Sequence, residues 1–347
     1  MTDASPAREA DQLEGGALPE QNTGQVEGHG AAQAHLAGIL GAARLPNAIL
    51  LHGPQGIGKA TLAFSLSRQI FARTGDEDSH RIDEQVLAGA YPNLFVLRRG
   101  PKDGRGFYTV IRVDEVRELR ERLHQTRGRA GHRVVVVDSI DDCNPSAANA
   151  LLKILEEPPP ETIFLLVSHR PGLLLPTIKS RCLPVAMRPL TDEEVRAVLG
   201  VQRPDAANLD HAVELAEGRP RRGFEALALA EEGGLTALRA WLRAPATGGA
   251  SSHLAIADAL IAEAGGGEAS FAREMIVDWL AAEARAAALG GEARLTRLAS
   301  ANDLWDKALA LFAEAEELNL DARQTLVVVL DAIRAHVLKH ASPAEPS

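Results

Sequence analysis

One short segment restricts the fold of this chain more than any other. Gly53-Pro-Gln-Gly56-Ile-Gly58-Lys59 is a GxxxxGK loop, preceded by the apolar run Ala48 to His52 and followed by Leu62, Leu66 and Ile70 at helical spacing. Strand, glycine-rich loop and helix in that order form a phosphate-binding P-loop. The glycines let successive backbone N–H groups turn toward phosphate oxygens, the helix N-terminus adds a favourable dipole, and Lys59 supplies a point charge. Such a loop belongs to an α/β fold with a parallel sheet, because its phosphate site lies at the carboxyl ends of parallel strands.

The flanking pattern agrees. Asn93 to Arg98, His132 to Asp138, Thr162 to Ser168 and Leu183 to Met187 read as further strands, the second of them holding a run of four consecutive valines. The four valines are Val134 to Val137, and such runs suit strands covered on both faces. Between them lie a helical pattern on His29 to Leu40, a second with Val116, Leu119 and Leu123 on one face, and a third opened by Asn144-Pro145 and stopped by Pro158-Pro159-Pro160. Arg73 to Gln85 reads only as a polar stretch. Strands alternating with helices imply a mostly parallel sheet with helices on both sides.

From Thr191-Asp-Glu-Glu194, a capping box, the chain becomes Ala-, Leu-, Glu- and Arg-rich with helical spacing and no strand pattern. The expected organisation is therefore a flexible tail over 1–25, a P-loop domain over 26–189 and a helical lid over 190–243. A linker over 244–252, a C-terminal helical domain over 253–340 and a short tail over 341–347 complete it. The class is α/β followed by all-α.

Composition removes several functions. With 37 Lys and Arg against 47 Asp and Glu the net charge is −10, so the whole surface does not attract a phosphate backbone. Aromatic residues are 4% of the chain, too few for a base-stacking platform. Only Cys143 and Cys182 are present, far apart, which gives neither a disulfide framework nor a zinc site. No apolar run approaches the ~20 residues of a membrane span, and the first 20 residues are polar; a cytoplasmic protein without a membrane partner is expected.

The P-loop lacks groups that an ATPase uses. The position after Lys59, where a hydroxyl would hold Mg²⁺, is Ala60, and Thr61 is turned about 100° further around the helix. Asp138 ends a buried strand and would face the loop, but Ser139 stands where active ATPases of this architecture have a water-positioning Glu. Asp141 or Asp142 is the alternative for that role. Losing a general base costs ~10²–10⁴ in rate. ATP or ADP binding stays open, Mg²⁺ is in doubt, and little intrinsic hydrolysis is expected.

Asn149-Ala-Leu-Leu-Lys-Ile-Leu-Glu-Glu-Pro-Pro159, Phe164-Leu-Leu-Val-Ser168 and Leu175-Pro-Thr-Ile-Lys-Ser-Arg-Cys182 closely resemble the corresponding segments of bacterial clamp-loader AAA+ subunits, the Ser180-Arg181-Cys182 tripeptide above all. The resemblance is strong to Arg188 and diffuse afterwards, and the damaged P-loop matches the branch of the family that does not hydrolyse ATP. A four-cysteine zinc module found in many such subunits is absent from Arg73 to Tyr91, so no zinc is expected. The resemblance implies three helical and α/β parts: an AAA+ domain, a lid and a collar. It implies a weak or vestigial nucleotide site at Gly53, Gly56, Gly58, Lys59, Thr61 and Asp138, and Arg181 as an arginine finger acting on a neighbour's site. Ser168 is the candidate for the first sensor position, and Arg221 or Arg222 for the second. The implied partners are gamma/tau and delta clamp-loader subunits in a hetero-pentamer, the sliding clamp weakly or indirectly, and primed DNA through the complex.

Plainer readings stand beside these. Arg181 could cap a helix C-terminus, Ser168 could be a satisfied strand-end hydroxyl, and Arg221 and Arg222 could form a solvated turn. His52, His169, Trp241, Trp279 and Trp305 read as packing or edge residues. Arg117, Arg120, Arg122, Arg127, Arg129 and Arg133 form a basic cluster that fits either a solvated face or a local phosphate contact. A self-sufficient AAA+ ATPase, either a gamma/tau-like motor or a helicase, is the rival function. A nucleotide kinase leaves the helical half without a purpose.

Overall fold

The computed structural model describes residues 18–22, 26–42, 44–74, 77–101, 107–125, 129–227, 234–247, 252–261, 267–289, 294–318 and 320–340. By contacts the chain forms two compact units, Met1–Leu227 and Ala228–Ser347.

The first unit is built on five parallel strands: β1 (Ala48–His52), β2 (Leu94–Leu97), β3 (Arg133–Val137), β4 (Thr162–Ser168) and β5 (Leu183–Ala186). Their order across the sheet is β2-β3-β4-β1-β5. β3 and β4 are buried along their whole length, as continuous apolar runs require of central strands. The helices are α1 (Gly30–Gly41), α2 (Lys59–Ala72), α3 (Ser79–Leu87), α4 (Val113–His124), α5 (Pro145–Glu156), α6 (Pro176–Lys179), α7 (Asp192–Gln202), α8 (Leu209–Ala216) and α9 (Pro220–Leu227).

Strand alternation sends Leu50, Val135, Val137, Phe164 and Leu166 to one side, where they pack with Val116, Leu119 and Leu123 of α4 and Leu151, Ile154 and Leu155 of α5. Each such side chain contributes about 1.5–3 kcal/mol on burial. α2 lies against β1, β3 and β4 and buries Leu62, Leu66 and Ile70, the residues that marked it in the sequence.

Caps set several boundaries. Asn144 Oδ1 accepts the Ala147 N–H at 2.8 Å at the start of α5, with Pro145 in the first helical position. Thr191 and Glu194 close the reciprocal box that opens α7.

Two differences from the sequence reading have physical causes. The polar stretch 73–85 runs into α3, whose Ile82 and Val86 are one turn apart and buried, while Arg68 of α2 pairs with Asp83 at 3.0 Å. Leu18 to Asn22, assigned by composition to the flexible tail, is instead tied down, with a 3-10 turn at Pro19–Gln21. Glu20 is buried there: Arg98 donates to its Oε1 at 2.7 Å, and Arg68 donates to its backbone carbonyl and, at 3.2 Å, to that of Asn22. The rest of that tail, 1–17 and 23–25, lies outside the described residues, as does 341–347.

The basic cluster is dispersed rather than pooled. Arg117 pairs with Asp114, Arg122 covers the Phe95 ring, Arg129 pairs with Glu77, and Arg133 is buried with its guanidinium on the Leu123 and Pro160 carbonyls. Arg127 is outside the described residues.

The second unit is helical: α10 (Gly234–Arg243), α11 (Ser252–Ile261), α12 (Gly267–Leu289), α13 (Arg294–Glu317) and α14 (Ala322–His340). α10, grouped by composition with the lid, belongs to this unit, where Leu235, Leu238, Trp241 and Leu242 are buried and Gly234 meets Leu260 so closely that a Cβ would clash. Within the expected linker, 248–251 lie outside the described residues. His336 of α14 joins Ser300 at 2.9 Å to Glu283 at 3.0 Å, and Arg297 holds both oxygens of Glu283. Among the described residues no helix is long and apolar enough to cross a membrane.

Candidate functional site

The phosphate loop leaves β1 at Gly53, where β1 is flanked by β4 and β5 and the chain must turn sharply into α2. Gly53 has φ +154°, and a Cβ there would lie 2.2 Å from the Met187 carbonyl oxygen, so no other residue fits. Gly56 and Gly58 take φ +80° and +98°, which curls the loop around the head of the helix.

Two outside groups hold this curl. The His29 Nε2–H donates to the Ile57 carbonyl at 2.7 Å, and the Arg221 N–H donates to the Gly56 carbonyl at 3.2 Å. The His29 contact was not legible in the sequence. The residue lies 28 positions upstream and reads in the sequence only as the start of a helical pattern, whereas it stands just ahead of α1.

Lys59 is 3% exposed and folds back onto its own loop, donating to the Gly53 and Pro54 carbonyls. Burial pulls its ammonium down to about 7; Asp138 and Asp141 act against that shift and Arg219 adds to it.

In front of the loop is a cavity of about 230 Å³. It is lined by the loop residues Gly56, Gly58 and Lys59 with Thr61 and Asp138, and also by the apolar side chains of Val26, Leu190, Val198 and Phe224. A phosphate-binding loop and apolar side chains lining one cavity suit a nucleotide, which needs both. The donor set suits a metal ion less well. Ala60 lines the cavity without a hydroxyl, and the Ser139 hydroxyl is buried with no hydrogen-bond partner among the described residues. Asp141 is engaged elsewhere: it accepts from Ser168 Oγ at 3.1 Å and from the backbone N–H groups of His169 and Arg170. Asp142 pairs with Arg99 at 3.4 Å.

The remaining candidates separate. Ser168 is fully buried and its hydroxyl is spent on Asp141. Arg221 lines the cavity, with its Nε on Glu225 at 3.1 Å, whereas Arg222 is 2% exposed, inside the lid, and paired with Glu217 at 3.0 Å. Of the histidines read as packing residues, His169 also lines the cavity. Arg181 is not among the residues that line this cavity; it follows α6 and is 35% exposed. It donates to the Thr177 carbonyl at 2.8 Å and to Glu156 Oε1 at 2.6 Å. The helix-end contact and an exposed guanidinium therefore coexist. Both cysteines are reduced, and burial pushes the Cys143 thiol up to about 12 and Cys182 to about 11, which makes them poor nucleophiles.

A parallel sheet of this order with the GxxxxGK loop at the end of an inner strand, followed by the helical cluster α7–α9, defines a AAA+ P-loop module. Within that class the resemblance is to the delta-prime subunit of DNA polymerase III. Residues 28–191 match the family described as DNA polymerase III, delta subunit. The delta-prime subunit of Pseudomonas aeruginosa is 42% identical over 150 residues, which are 42% of this chain and 44% of that protein. That of Escherichia coli is 35% identical over 145 residues, 41% of this chain and 42% of the relative. The gamma/tau subunit of Mycobacterium tuberculosis is 32% identical over 179 residues, covering 50% of this chain and 30% of the relative. Each match thus spans less than half of the relative's length. Among solved structures, RuvB of Thermotoga maritima aligns over 90% of this chain and 88% of its own, with 19% identity and a TM-score of 0.42. The sheet order and the loop, not that overlap, define the class.

Proposed function

We propose that this chain is a delta-prime-like clamp-loader subunit: a stator that supplies Arg181 in trans to an ATP site on a gamma/tau neighbour. In this reading it assembles with gamma/tau and delta subunits in a hetero-pentamer. The complex loads the sliding clamp onto primed DNA in the cytoplasm, and contact of this chain with the clamp is weak or indirect. The observation that carries the reading is a division of labour in one unit. The phosphate cradle is intact but lacks a metal-binding hydroxyl at Ala60 and a carboxylate at Ser139, while Arg181 is exposed and outside its own cavity. The similarity to delta-prime subunits over 28–191 supports it.

Gly53, Gly56, Gly58, Lys59 and Thr61 would hold the phosphates of ATP or ADP, and Arg221 is the better placed candidate for the second sensor because it lines the cavity and Arg222 does not. A bound nucleotide would serve structure rather than turnover, and neither Mg²⁺ nor zinc is required. A guanidinium suits the trans role because it keeps its charge at any physiological pH and forks onto phosphate oxygens. Such groups are worth ~10³–10⁵ in rate.

The test is Arg181→Ala in a loader reconstituted with gamma/tau and delta subunits. ATP turnover should fall by the contribution of the site facing this subunit, with assembly intact by native mass measurement. Unchanged turnover removes the trans assignment, and rapid ATP hydrolysis by the purified chain alone replaces the stator with an active motor.

A further inference from the structure

Glu156 occupies an unfavourable place for an acid. It is the last residue of α5, where the helix dipole puts partial negative charge and a cation is the stabilising neighbour. Lys153 in the same turn follows that rule and Glu156 breaks it. Its partner accounts for the exception. Glu156 Oε1 accepts from Arg181 Nη2 at 2.6 Å, a charge-assisted distance, while Arg181 Nη1 donates to the Thr177 carbonyl at 2.8 Å. The two acceptors come from different elements, the end of α5 and the turn of α6, and together they fix both terminal nitrogens of one guanidinium.

An exposed ion pair adds little to folding, and these side chains are 35% and 41% exposed. What the pair does set is direction. Arginine is long and flexible, and an unheld one must be ordered each time it meets a phosphate. A guanidinium has five N–H donors. Glu156 and Thr177 take two, which leaves the Nε–H and one N–H on each terminal nitrogen outside these bonds.

We propose that Glu156 is a positioning residue for Arg181. With the Thr177 carbonyl it holds the guanidinium at the surface of the unit, oriented with three donors ready for the phosphate oxygens of a nucleotide bound by a neighbouring subunit. This role rests on the trans assignment of Arg181 made above.

The experiment uses the full chain in the reconstituted loader, with ATP, clamp and primed DNA. Glu156→Ala should lower the Arg181-dependent part of kcat about two- to fivefold, the factor an exposed pair can impose, with KM for ATP unchanged. Glu156→Gln keeps an accepting oxygen and should recover part of the loss. In an Arg181→Ala background Glu156→Ala should have no further effect. An equal fractional loss in both backgrounds would show that Glu156 serves only the fold of α5 and overturns the proposal. A rise in kcat overturns it too, since Glu156 would then restrain the arginine. If Arg181→Ala alone changes nothing, the trans assignment itself fails and the positioning role goes with it, a result read without touching Glu156.

Discussion

At the scale of single residues, the most constrained group is Lys59. Its ammonium is withdrawn from water onto two carbonyls of its own loop. Folded, it releases its proton near pH 7; unfolded, it keeps it to the usual lysine value of 10.5. Between those values the unfolded chain binds more protons, so this residue makes stability rise with pH. Lys59→Met removes the slope. The stability advantage of the variant over the natural chain should be largest at about pH 6 and shrink toward about pH 9.5. Urea denaturation at the two pH values checks it; a gap that stays constant contradicts the burial penalty. Much of this residue scale was readable beforehand. Gly53, Gly56, Gly58 and Lys59 form the loop where a strand-loop-helix pattern placed them. What could not be read was how polar groups pair across long sequence separations. Ser168 meets Asp141 27 positions away, and Glu20 meets Arg98 78 positions away.

At the scale of elements, legibility follows the density of apolar signal. β1, β3 and β4 are unbroken apolar runs and appear where the runs are; α5 is bracketed by Asn144-Pro145 and three prolines and begins and ends between them. The cap contributes measurably. Asn144→Ala leaves the Ala147 N–H without its side-chain acceptor and should cost about 1 kcal/mol, seen as a lower denaturation midpoint with an unchanged m-value. α3 escaped notice because three apolar residues in nine, two of them adjacent, give too weak a periodicity, although Ile82 and Val86 have the helical spacing of four and are buried. The Leu18 to Asn22 segment escaped for another reason. Apart from Leu18 and Pro19 its residues are polar, and the groups that hold it, Arg68 and Arg98, are supplied by α2 and by the residue after β2.

At the scale of the whole molecule, composition announced the change from α/β to all-α, but not where contacts divide it. The first unit closes after α9, so α7–α9 share a compact body with the sheet, and α10 joins the helices that follow. Each unit has its own buried core. Residues 1–227 expressed alone should therefore fold cooperatively, with a single thermal transition and retained near-ultraviolet dichroism. A fragment without a cooperative transition would mean that the helical unit is needed to complete the first.

The hydrogen bond from the Arg221 N–H to the Gly56 carbonyl has a mechanical corollary. The first turn of α9 is stitched to the very backbone that would cradle phosphate, so those helices cannot pivot on the sheet without tugging that cradle out of shape. In a motor, such a joint would transmit each stroke of the fuel cycle. In the stator proposed above, the same joint would act as a brace, and the surface offered to a neighbouring subunit would keep a fixed pitch.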